Sequence, residues 1–161
     1  MRLVIDESLA KIEPDAVRAL KRIGREVSGE LTGRLGLVAA EPSLSIEDAL
    51  VAGAELTGLL GSPDSEISRV EAHAVLVGLI ERDLAYRAPR RSPASAESTA
   101  TAFLALCPGS GARFFTNGDL GLAHGAGSTG EWSSLTTATF DTGVVAIDGG
   151  KLAVFWVEDE D

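Results

Sequence analysis

The sequence is short of cysteine, and it has no long apolar run. Its one cysteine, Cys107, cannot form a disulfide within the chain, which fits a reducing compartment. No apolar stretch approaches the roughly 20 residues that span a bilayer, and Asp6 and Glu7 interrupt the N-terminus before a signal-peptide core could form. We therefore expect a cytoplasmic protein without a membrane partner. Two histidines and one cysteine match no zinc-site spacing, so we also expect no metal.

Basic residues are scarce in the second half of the chain. The formal net charge is -10, and residues 92–161 contain only Arg113 and Lys151 against nine acidic residues. Nucleic-acid binding needs patches of lysine and arginine, so this balance argues against it. The last four residues are all acidic. They are either a solvated tail or a docking surface for a protein with a basic surface, whose association long-range attraction would accelerate.

The first half of the chain has the periodicity of helices. Pro14 predicts the first turn of a helix with one apolar face, formed by Val17, Leu20, Ile23 and Val27. A capping pattern predicts a second helix over 45–61. Ser62 and Pro63 predict the start of a third helix, whose apolar stripe comprises Ile67, Val70, Ala74, Val77, Ile80 and Leu84.

The second half has the pattern of β-hairpins. Asn117-Gly118 predicts a hairpin between "ARFF" and "DLGLAH", and Gly149-Gly150 predicts another between "TGVVAID" and "KLAVFWVE". A two-residue turn at Gly149-Gly150 places Gly143 opposite Trp156. Both faces of this second hairpin are largely apolar, which predicts a central position in the sheet with layers on both sides. The expected core residues are Val145, Ile147, Leu152, Val154 and Trp156.

These patterns together predict one α+β domain over residues 1–161. Residues 1–87 form its mainly helical half and residues 99–161 its mainly β half. The segment 88–98 contains two prolines and no large apolar residue, which is typical of a loop. We expect the N-terminal helices to pack on a C-terminal antiparallel sheet of hairpins.

The stretch "GAGSTG" at 125–130 matches the glycine pattern of dinucleotide-binding loops. That pattern binds a pyrophosphate only where a strand leads into a helix within a parallel βαβ unit. Only 31 residues follow Gly130, and they end in an antiparallel hairpin. The stretch is therefore interpreted as a loop between two hairpins, and no cofactor is expected.

Two residues could support a catalytic function. Cys107 and His124, oriented by Asp141 or Asp148, could form a thiolate–imidazole pair for a small hydrolase or transferase. We expect instead that Cys107 is a small core residue at the end of an apolar run, so no catalytic residue is predicted and the Cys107–His124 pair is the alternative.

Aromatic residues near the acidic end could form a protein-binding edge. A buried aromatic anchor beside carboxylates is typical of a binding hot spot, and the same aromatic residues could instead belong to the core. The candidate partner-binding residues are Trp132, Asp141, Trp156, Glu158, Asp159, Glu160 and Asp161.

The closing run "TFDTGVVAIDGGKLAVFWVEDED" resembles the C-terminal strands of small acidic bacterial immunity proteins, which neutralise toxins. The resemblance covers Thr139 to Asp161 and depends on Phe140, Asp141, Gly143, Trp156 and the terminal acids. It implies a non-enzymatic inhibitor whose acidic surface covers the basic active site of a toxin. The alternatives are the cysteine-dependent enzyme and a structural subunit of a phage or secretion system, and a homo-oligomer is compatible with each.

Overall fold

A computed structural model describes residues 1–39, 66–117 and 135–159. These residues form a mixed six-stranded sheet with four helices, which confirms the α+β class. The helices are α1 (Glu7–Ile12), α2 (Pro14–Val27), α3 (Arg69–Glu81) and α4 (Pro93–Leu104). The strands are β1 (Arg2–Ile5), β2 (Gly33–Ala39), β3 (Glu66–Ile67), β4 (Arg113–Phe115), β5 (Phe140–Asp148) and β6 (Lys151–Asp159).

The second predicted hairpin forms the centre of the sheet. The strand order is β1-β2-β6-β5-β4-β3, so both strands of the hairpin have a neighbour on each side. Gly149 has a φ of +60°, as the tight turn requires. Asp148 pairs with Lys151 and Gly143 with Trp156, as the two-residue turn predicts. A Cβ atom at position 143 would lie 2.7 Å from the Trp156 Cα, so this pairing requires glycine there.

The sheet differs from the predicted C-terminal sheet because the N-terminal half supplies three of its six strands, β1, β2 and β3. β2 pairs antiparallel with β6, and β1 pairs parallel with β2 at the edge. The segment "RLGLVAA" left open whether it was a strand. This segment forms strand β2, because its backbone pairs with the edge of β6 that β5 leaves free. The backbone partners of these strands are remote in sequence, and local propensity does not reveal them.

The first strand of the first predicted hairpin is β4. Phe114 and Phe115 pair with β5 on one side and with β3 on the other. The predicted strand 119–124, the predicted helix 45–61 and the glycine-rich stretch 125–130 lie outside the described residues.

Two helix boundaries also correct the sequence prediction. Ser68 caps α3 in a capping box with Glu71, so this helix begins six residues after the predicted cap at Ser62. The predicted loop 88–98 instead contains the start of α4, with Ser92 as its cap and Pro93 in its first turn. Serine and proline favour loops in general, but at the first positions of a helix they favour its start. α2 begins at Pro14 and buries its four predicted apolar residues, as expected.

The described helices pack on one face of the sheet. α2 contacts β1 and β2, α3 contacts β4 and β5, and α4 lies between α2 and α3. Phe103 of α4 meets Phe155 of β6 edge to face, with ring centroids 5.5 Å apart. The opposite face of the sheet carries a second buried cluster. It includes all five predicted core residues, together with Phe115: Val145, Ile147, Leu152, Val154 and Trp156.

Candidate functional site

Hydrogen bonds connect the end of β6 to the segment that follows α3. The Asp159 carboxylate accepts two hydrogen bonds from the Arg90 guanidinium, at 2.7 and 2.8 Å, and one from the Leu84 backbone N–H at 2.8 Å. Only 14% of the Asp159 side chain is exposed. This carboxylate therefore fastens the loop after α3 to the sheet, and it is neither a solvated tail residue nor available to a partner.

Glu158 is also used internally. Its carboxylate lies 3.1 Å from the Arg34 guanidinium on β2, and both side chains are mostly buried. Its backbone N–H donates to the Thr32 carbonyl. The ion pairs disfavour the prediction that Glu158 and Asp159 form a docking surface, because arginines of the same chain already neutralise them. Glu160 and Asp161 lie outside the described residues.

Trp156 and Asp141 are buried, which corrects their assignment as partner-binding residues. The Trp156 side chain has no exposed surface and belongs to the cluster on the face of the sheet opposite the helices. The Asp141 carboxylate accepts hydrogen bonds from the Leu135 and Thr136 backbone N–H groups and from the Asn117 amide. A side chain needs exposed surface to contact a partner, and neither residue has any. Trp132, the remaining aromatic candidate, lies outside the described residues.

Cys107 is a core residue. It is fully buried, and its thiol lies 3.9 Å from the Ala146 carbonyl oxygen. Burial raises the pKa of the Cys107 thiol to about 11, because the interior disfavours the thiolate. A nucleophilic cysteine requires the opposite environment, so the burial of Cys107 agrees with the expectation of a core residue and disfavours the alternative of a catalytic one. His124 lies outside the described residues.

We expect the Cys107 thiol to resist alkylation in the folded protein. Iodoacetamide at pH 7.5 should leave the native chain unlabelled and should label it fully in guanidinium chloride. Since the folded pKa is raised, the contribution of this thiol to stability is complete below about pH 9 and is lost as the pH rises towards 11. The slope of this loss is at most about 1.4 kcal/mol per pH unit.

The control for this prediction is Cys107→Ala, which should lack that alkaline slope in denaturant unfolding whatever its overall stability. Rapid labelling of the native wild-type protein at pH 7.5 would restore the enzyme hypothesis.

The outer surface of α3 and α4 exposes an apolar side chain beside a groove. We call it the helical face, and it contains a groove of about 400 Å³. Val70 stands beside the groove with 79% of its surface exposed. The groove is lined by Arg69, Val70, His73, Thr101, Leu104 and Ala105.

The sequence prediction placed Val70 in the buried stripe of α3, which is wrong, because Val70 is exposed. Ala74 is partly buried, and Val77 is partly buried against the core. The residues that α3 buries are Ala72, Val75, Leu76, Leu79 and Ile80. Apolar residues surround this helix, so periodicity alone does not select the inward face. A helix that is apolar all round is normally covered on every side. The apolar residues on all sides of α3 were therefore the one feature of the sequence that could have indicated a surface site here.

Polar contacts fix the positions of α3 and α4 relative to each other beside the groove. The Arg69 guanidinium donates to the carbonyls of Leu104 and Cys107, at 3.2 and 2.5 Å, and lies 4.8 Å from the centre of the Phe114 ring. The His73 Nε2 atom lies 3.3 Å from the Thr101 hydroxyl. The start of α3 is thereby fixed beside the end of α4, so the groove is a built feature of the fold.

A second surface is basic. Arg18, Lys21, Arg22 and Arg25 are all exposed on α2, and their spacing places them on one side of the helix. Asp15 forms an ion pair with Arg18. A partner with a basic surface is therefore not expected to dock on α2.

Comparisons add no identity to these features: no protein-family model, curated protein or solved structure matches the chain. Within residues 1–39, 66–117 and 135–159, no group of three or more histidine, cysteine or acidic side chains is arranged to hold a metal ion. None of the helices described there is long and apolar enough to cross a membrane.

Proposed function

We propose that this protein is a non-enzymatic module of the bacterial cytoplasm that binds a partner protein with a basic surface. Neutralisation of a toxin, as an immunity protein does, is the most concrete form of this proposal. The observation that carries it is the division of charge along the sequence.

The negative charge is concentrated in the second part of the sequence. Residues 1–91 contain 12 basic and 15 acidic residues, a balance of -3. Residues 92–161 contain two basic residues, Arg113 and Lys151, against nine acidic residues, a balance of -7. Such an excess accelerates association with a basic protein.

The internal ion pairs support the same proposal. Asp159 with Arg90, Glu158 with Arg34 and Lys151 with Glu13 join remote parts of the chain at 2.7 to 3.1 Å. Arg34, Arg90 and Lys151 thus neutralise acidic residues of the same chain. The competing enzyme hypothesis is disfavoured, because its proposed nucleophile is buried and protonated.

The test uses the product of the reading frame next to this gene. Expressed alone, that product should slow growth, and co-expression of this protein should restore growth. The purified pair should associate more slowly as salt rises, because screening removes the long-range attraction. Growth that co-expression does not restore, or an association rate independent of salt, would contradict the proposal.

A matched pair of double variants locates the effective charge. Glu160→Gln with Asp161→Asn removes two terminal charges, and Glu7→Gln with Asp15→Asn removes two exposed charges from α1 and α2. We expect only the first pair to slow association several-fold and to flatten its salt dependence. Glu158 and Asp159 are excluded from this test because their ion pairs support the fold. Equal rates for both variants would contradict a role for the terminal acids.

A further inference from the structure

One side of β1 has no neighbouring strand among the described residues. β1 pairs only with β2, and the two strands run parallel. The Asp6 N–H donates to the Leu37 carbonyl, and successive residues of a parallel strand direct their backbone groups to alternate sides. Val4 therefore bonds towards β2, whereas the N–H and C=O groups of Leu3 and Ile5 face away from it. This edge offers two donors and two acceptors to a further strand.

Helix α2 packs on β1 directly above this edge. A Cβ atom at Gly24 would lie 3.0 Å from a methyl carbon of Leu3, so the helix meets the strand at that point. Leu3 nevertheless remains 43% exposed. On the other side of the helix, the Thr99 hydroxyl of α4 donates to the Glu26 carboxylate at 3.4 Å. α2 therefore has α4 on one side and the open edge of β1 on the other.

Two cations lie on the side of α2 that faces the edge. At 100° per residue, Lys21 and Arg25 are about 60° and 100° from Gly24 around the helix, and Ile23 and Glu26 are about 100° and 160° from it in the opposite direction. Lys21 and Arg25 are exposed, and neither side chain forms an ion pair or a hydrogen bond with a described residue. Their positive charge therefore lies above the place that a further strand beside β1 would occupy.

We propose that the edge of β1 and the adjoining side of α2 form a docking site for an extended acidic peptide segment of another protein. The segment adds to the sheet as a strand, and its backbone pairs with that of Leu3 and Ile5. Alternate side chains of a strand point to the same face. Carboxylates at every second position of the segment therefore meet Lys21 and Arg25.

The backbone edge favours a polypeptide over a nucleic acid. The outward carbonyls of Leu3 and Ile5 need hydrogen-bond donors, and the oxygens of a phosphate backbone only accept. A long polyanion would also meet the net charge of -10 of the whole chain. An apolar strand would pair with the edge but would cover Lys21 and Arg25 without neutralising them, which is unfavourable. A short acidic strand satisfies the backbone groups and the charges together.

The first experiment uses the purified chain and a synthetic peptide of eight residues in which glutamate and valine alternate. Fluorescence anisotropy should show saturable binding below about 1 mM, the range of small contacts. Amide hydrogen exchange followed by NMR should slow at least fivefold at Leu3 and Ile5, and should not change at Val4, whose N–H already faces β2. Absence of binding, or unchanged exchange at Leu3 and Ile5, overturns the proposal.

Three further probes separate strand pairing from charge attraction. The same peptide N-methylated at every residue keeps its carboxylates but lacks donors, and a peptide with lysine in place of glutamate keeps its donors but reverses the charge. Each should bind at least tenfold more weakly than the acidic peptide. A single-stranded oligothymidine of equal charge should also bind at least tenfold more weakly. Equal binding of any one of these probes overturns the proposal.

The second experiment changes the protein. Lys21→Glu with Arg25→Glu should weaken binding of the acidic peptide at least tenfold. Arg22→Glu with Arg87→Glu is the matched control, because it makes the same change of charge at exposed residues away from the edge, and it should have less than a twofold effect. Circular dichroism confirms that both variants are folded. Equal effects of the two variants overturn the proposal. These experiments use no toxin, so their failure is distinct from failure of the proposed function.

Discussion

Replacing Trp156 with alanine is expected to lower the free energy of unfolding by about 3 to 5 kcal/mol, because this change removes the largest fully buried side chain described. The indole packs in the buried cluster with Phe115, Val145 and Val154, and its removal leaves a cavity there. Denaturant unfolding followed by circular dichroism measures the loss. The melting temperature should fall by many degrees before any binding is examined.

Trp156→Phe is the matched control. The indole N–H has no hydrogen-bond acceptor among the described residues, so phenylalanine keeps most of the packing and removes a buried donor whose burial is unfavourable. Its cost should be about 1 kcal/mol or less. If Trp156→Ala instead left stability unchanged and weakened binding to a partner, Trp156 would be a docking residue after all.

Asp141→Ala is expected to lower the free energy of unfolding by about 3 kcal/mol or more. The substitution leaves the backbone N–H groups of Leu135 and Thr136 without the carboxylate that accepts from them, and it removes a contact of the Asn117 amide. Each buried donor without an acceptor costs about 1 to 3 kcal/mol. The same unfolding measurement tests this prediction.

Two variants control for the removal of a charge. Asp141→Asn keeps the size of the side chain but offers fewer acceptor sites, so its loss should be substantial but smaller. Asp15→Ala removes a carboxylate that is 89% exposed and paired with Arg18. It should cost less than about 1 kcal/mol, as exposed ion pairs generally do. Equal stability losses at positions 141 and 15 would show that Asp141 does not organise the start of β5.

These two predictions separate the fold from the proposed binding function. Both residues were sequence candidates for partner binding, and both are structural. A binding assay on either variant would report unfolding. The proposed binding function is therefore tested at Glu160 and Asp161 and not at these two buried positions.

The sequence alone determined the features that depend on neighbouring residues. The β5–β6 hairpin follows from Gly149-Gly150 and the two apolar runs beside it, including the pairing of Gly143 with Trp156. α2 follows from Pro14 and its single apolar stripe. The buried state of Cys107 was among the alternatives that its apolar surroundings indicated. In each case the determining contacts lie within a few residues, so the pattern specifies them.

Only the tertiary structure decided the features that depend on remote partners. The sequence alone suggests that Asp159 belongs to an acidic tail. In the structure its carboxylate pairs with Arg90, which is 69 positions away. The inward face of α3 was ambiguous because apolar residues surround the helix, and packing on β4 and β5 selected Leu76 over Val70. β2 joins the sheet by pairing with the side of β6 that does not pair with β5, and β1 then pairs with β2. Long-range burial and ion pairing decide these features, and no local pattern encodes which distant residue will be the partner.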